Sequence, residues 1–119
     1  MVTKGIRGAI TVDCNSDTEI RSAVIELLNA MILQNNINAS DISHVIFTLT
    51  EDLNAAFPAK FARLELDGWD KVAMMCFHEL NVPGALEKCL RVLIVLNCDE
   101  TFEPVFVYLK GAASLRELR

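Results

Sequence analysis

The stretch Cys89-Leu90-Arg91-Val92-Leu93-Ile94-Val95-Leu96 decides the fold. An apolar run of this length fits either a helix or a buried strand, because neither period shows in it. We read a short helical turn over Ala85–Lys88 and then a strand from Cys89 to Leu96. The unbroken apolar character of that strand implies burial on both faces. Given a strand here, its neighbours in sequence order as β-α-β-α-β-β-β, and the expected architecture is one mixed sheet with helices packed against it.

Working outward, Gly5 to Val12 reads as a strand with Ile6, Ile10 and Val12 on one face and Arg7, Ala9 and Thr11 on the other. Ser16-Asp17-Thr18-Glu19 is a capping-box sequence. The helix it starts runs to about Asn35, with Ile20, Val24, Leu27, Leu28 and Met31 on its apolar stripe and Asn35-Asn36 as the stop. His44 to Thr50 is rich in β-branched residues and reads as a strand. A second helix follows Glu51-Asp52-Leu53-Asn54, with Pro58 in its first turn. Asp67-Gly68 turns the chain into a strand over Val72–Phe77. Asn81-Val82-Pro83-Gly84 and Asp99–Pro104 are loops, Val105–Lys110 is the last strand, and a short tail free to move begins at Gly111.

The totals bound the answer further. The 119 residues fit a single domain spanning 1–119. At 52% hydrophobic residues and a mean hydropathy of +0.32, the chain holds more apolar side chain than a small monomer readily hides. A homo-oligomer is therefore expected. Its longest apolar runs fall far short of the ~20 residues that span a bilayer. A net charge of −5 argues against nucleic acid, whose binding rests on phosphate neutralisation. The N-terminus shows no signal-peptide pattern, and reduced thiols at Cys14, Cys76, Cys89 and Cys98 fit a cytoplasmic protein. None of the four pairs with another cysteine or with His44 or His78 at zinc-site spacing, so no metal is expected.

Cations carry the chemical signal. Arg91 sits at the start of a run that otherwise wants burial, and a guanidinium is costly to desolvate unless it meets an anion. It is either half of a structural ion pair, with Glu79 as candidate partner, or a cation kept in a dry site for a ligand. Arg7 lies between small residues in Gly5-Ile6-Arg7-Gly8-Ala9, where glycines admit close approach. Lys60 and Arg63 share one helical face in Phe57-Pro58-Ala59-Lys60-Phe61-Ala62-Arg63. Tyr108 is a strand tyrosine among apolar neighbours. His78 and Glu79 are adjacent in an extended segment and face opposite ways, so they should not act as an acid–base pair.

Gly5-x-Arg7-Gly8-Ala9-x-Thr11, Phe57-Pro58-Ala59-Lys60-x-x-Arg63, Cys76-x-x-Glu79, Arg91 and Tyr108 resemble, in order and spacing, the AroH-type (Bacillus-type, monofunctional) chorismate mutases. The resemblance covers nearly the whole length and implies a pseudo-barrel homotrimer with sites between subunits. It also implies isomerisation of chorismate, a small dianion, to prephenate in the shikimate pathway of aromatic amino acid biosynthesis. That [3,3] shift needs no cofactor and no covalent intermediate. Carried over, Arg91 would donate to the ether oxygen and a carboxylate, and Arg7 and Tyr108 would hold carboxylate. Glu79, assisted by Cys76, would accept from the ring hydroxyl and balance charge on the allylic fragment. Phe57 and Ala59 would form an apolar wall, Lys60 and Arg63 would supply positive potential, and Leu115 and Arg116 would belong to a tail ordering over the ligand. Met74-Met75 stand where the family usually has smaller residues, often a threonine: a ligand contact through a hydroxyl there would be weakened, whereas one through the backbone would survive. Two competing readings are an imine or enamine deaminase-like trimer and a non-catalytic trimer binding an aromatic-pathway metabolite.

Overall fold

A computed structural model describes the backbone of residues 1–118 and the side chains of residues 1–115. Its strands are β1 (Val2–Thr11), β2 (Ile42–Leu49), β3 (Ala73–His78), β4 (Cys89–Cys98) and β5 (Val107–Leu109). The helices are α1 (Asp17–Asn35) and α2 (Pro58–Glu65), with short 3₁₀ turns at Ala39–Asp41 and Trp69–Lys71 and a longer 3₁₀ segment over Lys110–Leu118. The strands form one mixed sheet in the order β3-β2-β4-β1-β5. β4 runs antiparallel to both β1 and β2, while β5 lies parallel to β1 and β3 parallel to β2.

Capping and periodicity place α1 where the sequence puts it. The Ser16 hydroxyl accepts the Glu19 amide at 3.1 Å, and Asn36 ends the helix in the left-handed conformation at φ 51°. Ile20, Val24, Leu27, Leu28 and Met31 pack on Ile6, Ile10, Phe47, Val92 and Ile94. Each such buried side chain contributes about 1.5–3 kcal/mol. Gly8 lets α1 approach closely, since a Cβ there would come within 2.4 Å of the Met31 sulfur. An Arg21–Glu65 pair, 2.6 Å at both contacts, links α1 to α2.

Four expectations need correction. β4 is covered on one face only: Leu90, Val92, Ile94 and Leu96 are buried, but Arg91, Leu93 and Val95 stay half-exposed because both helices pack on the same side. Ala85–Lys88 is not helical. Lys88 adopts φ 45°, and its amide donates to the Asp52 carboxylate at 3.0 and 3.2 Å, so the chain turns directly into β4. The last strand shrinks to Val107–Leu109, because the Asn35 side chain takes the place of a neighbouring strand at Val105. Its amide accepts the Val105 N–H at 2.8 Å and donates to the Val105 carbonyl at 3.0 Å. The start of the C-terminal segment packs on β1: the Gly111 amide donates to the Thr11 hydroxyl at 2.9 Å, and Ala112 is fully buried. β1 also starts three residues early, at Val2. Among the described residues, no helix is long and apolar enough to cross a membrane.

Candidate active site

The sheet face turned away from the helices carries the charged side chains. Strand alternation puts Arg7 and Ala9 of β1, Ile46 and Thr48 of β2, and Arg91 and Leu93 of β4 on that face. The register then joins them: Arg7 lies opposite Leu93, Ala9 opposite Arg91, Thr48 opposite Arg91, and Tyr108 beside Ala9. Together with Glu79 and Leu115 they line a cleft of about 570 Å³.

Glu79 reaches this face because the chain stays extended beyond β3, its amide donating to the Leu49 carbonyl at 2.8 Å. Its carboxylate accepts the Thr48 hydroxyl at 2.8 Å on Oε2 and the Leu80 amide at 3.3 Å on Oε1. Arg91 Nε stands 3.6 Å from the same Oε2. That is an ion-pair contact but too long for a hydrogen bond. Among the described residues Arg91 Nε is buried with no hydrogen-bond partner. The two alternatives for Arg91 therefore coexist, since it meets Glu79 yet keeps an unused donor. Its side chain is 35% exposed in the cleft, on a strand whose opposite face is core. The neighbouring Cys89 thiol is pushed up by burial, which outweighs the opposing pull of the Arg91 guanidinium. Arg7 lies across the cleft with its guanidinium 5.6 Å from the centre of the Phe106 ring.

The remaining predicted residues gather elsewhere. Phe57, Ala59, Lys60, Arg63, Met74, Met75 and Cys76 line a separate depression of about 340 Å³ between the start of α2 and the edge strand β3. Phe57 precedes the helix and is 74% exposed, and Met75 is 60% exposed, unusual values for such apolar side chains. Cys76 pairs in register with Phe47, which faces the helices, so it lies on the opposite side of the sheet from Glu79. Within one chain Cys76 therefore does not reach Glu79. Burial raises the Cys76 thiol, opposed by the Ala59 backbone amide. His78 also turns to the helix side, beside Leu53 and Phe57, so it and Glu79 are indeed no pair. Leu115 lines the first cleft, whereas the Arg116 side chain lies outside the described residues.

Sequence reasoning missed Thr48, Ile46 and Leu93, all of which line the cleft. Alternation within β2 signals that Thr48 faces away from Phe47, but only the register reveals that Arg91 and Glu79 are its neighbours.

Known proteins resemble this chain over nearly its whole length. The family model for chorismate mutase type I matches residues 3–118. The chain is 38% identical over 117 residues to the chorismate mutase AroH of Bacillus subtilis (strain 168), covering 98% of this chain and 91% of that protein. It is 42% identical over 117 residues to the chorismate mutase AroH of Thermus thermophilus, covering 97% and 94%. A solved chorismate mutase from Clostridium thermocellum superposes with a TM-score of 0.87 at 45% identity, over 93% of this chain and 98% of that one. By the family match over residues 3–118 and the identities to these relatives, the chain belongs to the chorismate mutase type I family.

Proposed function

We propose that this protein isomerises chorismate to prephenate by a non-covalent [3,3] rearrangement, using the cleft around Arg91 as one half of its site. The observation that carries the reading is Arg91 itself: a guanidinium set in an apolar sheet, with a buried Nε lacking a hydrogen-bond acceptor among the described residues. Such a group stabilises negative charge developing on the breaking ether oxygen, and it does so without reorganising. Arg7 and Tyr108 hold substrate carboxylate, so that a flexible dianion is kept in a compact pose and much of the barrier is met as orientation. Glu79 accepts from the ring hydroxyl and balances the electron-poor allylic fragment.

The second half comes from another copy. Phe57, Ala59, Lys60, Arg63, Met74, Met75 and Cys76 are grouped away from the cleft, and the sheet face between leaves Met75 and Phe77 60% and 47% exposed. A head-to-tail contact that brings the depression of one copy over the cleft of the next closes as a ring. We take that ring to be a homotrimer with three equivalent sites. In it Cys76 meets the Glu79 of the adjacent copy, and Lys60 and Arg63 lend positive potential at the mouth. Leu115 and Arg116 belong to a tail that orders over the ligand. The protein works in the cytoplasm, where its thiols stay reduced.

Loss of chorismate absorbance with purified protein, beside an Arg91→Ala control, tests the reading. Removing charge and orientation together should cost more than the ~10²–10³ typical of one lost oxyanion-type donor. A loss in kcat below about tenfold would remove Arg91 from the chemistry.

A further inference from the structure

The Glu79 carboxylate is poised between two donors that compete for one oxygen. Thr48 Oγ1 donates to Oε2 at 2.8 Å, while Arg91 Nε waits 3.6 Å from that same atom with no acceptor of its own among the described residues. A buried, unpaired guanidinium nitrogen beside a carboxylate would ordinarily close to a charge-assisted bond of about 2.7–2.9 Å. Something holds the two apart. Thr48 stands directly across the β2–β4 ladder from Arg91, so its hydroxyl is fixed by the sheet rather than by a loop. Glu79 is restrained again by its amide on Leu49 and by the Leu80 amide on its other carboxylate oxygen.

We propose that Thr48 is a positioning residue: its hydroxyl keeps the Glu79 carboxylate from closing on Arg91, so that the guanidinium retains its field for the substrate. This rests on the role given above to Arg91. Without the hydroxyl, Oε2 loses its strongest neutral donor and moves the short distance to Nε. The arginine would then be neutralised by its own protein, and its pull on the developing ether oxyanion would weaken. The binding of carboxylates through Arg7 and Tyr108 would be left largely intact.

The test compares Thr48→Val, which keeps shape and loses the hydroxyl, with Thr48→Ser, which keeps the hydroxyl. Chorismate turnover is followed for each, and folding is checked by thermal unfolding. Thr48→Val should lower kcat roughly ten- to hundredfold, the range of one hydrogen bond to a charged group, with KM moving less than about threefold. Thr48→Ser should recover most of that loss. In a Glu79→Gln background, where no charge can collapse onto Arg91, Thr48→Val should add little. A Thr48→Val enzyme with unchanged kcat overturns the proposal, as does an equal loss in both backgrounds or a loss that tracks the drop in Tm without serine rescue. If instead Arg91→Ala is itself nearly silent, the assignment of the site fails, and that outcome is separate from any result at Thr48.

Discussion

Two inactive variants of this protein should restore each other when mixed. Arg91→Ala removes the cation of the cleft but leaves the depression on α2 and β3 untouched. Arg63→Glu does the reverse, setting a negative charge in a depression meant to favour an anion. If each site pairs the cleft of one copy with the depression of the next, a working site needs its cleft from an Arg63→Glu chain. Its depression must come from an Arg91→Ala chain. Random assembly at equal proportions supplies each with a chance of one half, so about one site in four is intact. The two proteins would be unfolded together in urea, refolded and sized by light scattering, and chorismate loss then measured at saturating substrate. Each variant alone should be down at least ~10²-fold, and the mixture should recover to about a quarter of the wild-type rate. Mixed assemblies that show only the summed activity of the separate variants would refute a site shared between subunits.

Three further outcomes are expected. Asn35→Ala strips the Val105 N–H and C=O of their side-chain partner and the Met31 carbonyl of its second donor, and should destabilise the fold by roughly 2–4 kcal/mol in urea unfolding; a change below about 1 kcal/mol would contradict the clamp. Burial acts to raise the Asp52 carboxyl, but the Thr50 hydroxyl and the Lys88 amide outweigh it and hold the group below its ordinary 3.8. Its ionised form thus adds stability above that value, lost as pH falls through the lower folded pKa. The stability gap between wild type and Asp52→Asn should narrow on acidification below about pH 4, and a gap constant with pH would refute the assignment. The Cys76 thiol, raised by burial, should alkylate more slowly at pH 7 than exposed Cys14 by mass spectrometry, and equal rates would show that it is not sheltered.

Much of this was legible from local pattern. Ser16 and Asn36 bound α1 because capping is local chemistry, and the apolar run at Cys89–Leu96 is a strand because it sits at the centre of a sheet. What local pattern could not supply was which side of that strand the helices cover. Apolar residues on an uncovered face look the same as core, so Leu93 and Val95 implied burial that one chain does not provide. Val105 reads as strand because nothing in its neighbourhood reveals that Asn35, 70 residues away, stands in for a partner strand. The same blindness governs the site. Arg7, Glu79, Arg91 and Tyr108 each carry a visible signal, but Thr48 becomes significant only through cross-strand register, a property of two distant segments.

The strand order has a consequence for how the molecule is made. β1 emerges first, yet its ladder partners are Cys89–Cys98 on one side and Val107–Leu109 on the other. Until synthesis has passed Cys98 the first strand has apolar side chains and no ladder neighbour, and its second edge stays open until Leu109 is made. α1 alone can shelter it. Pairings this distant close slowly, because the loop entropy must be met before any contact repays it. Arg7 is thus translated early and positioned last, and the cleft forms only as the sheet itself is completed. Chains stalled before that point would expose β1 as an aggregation-prone edge.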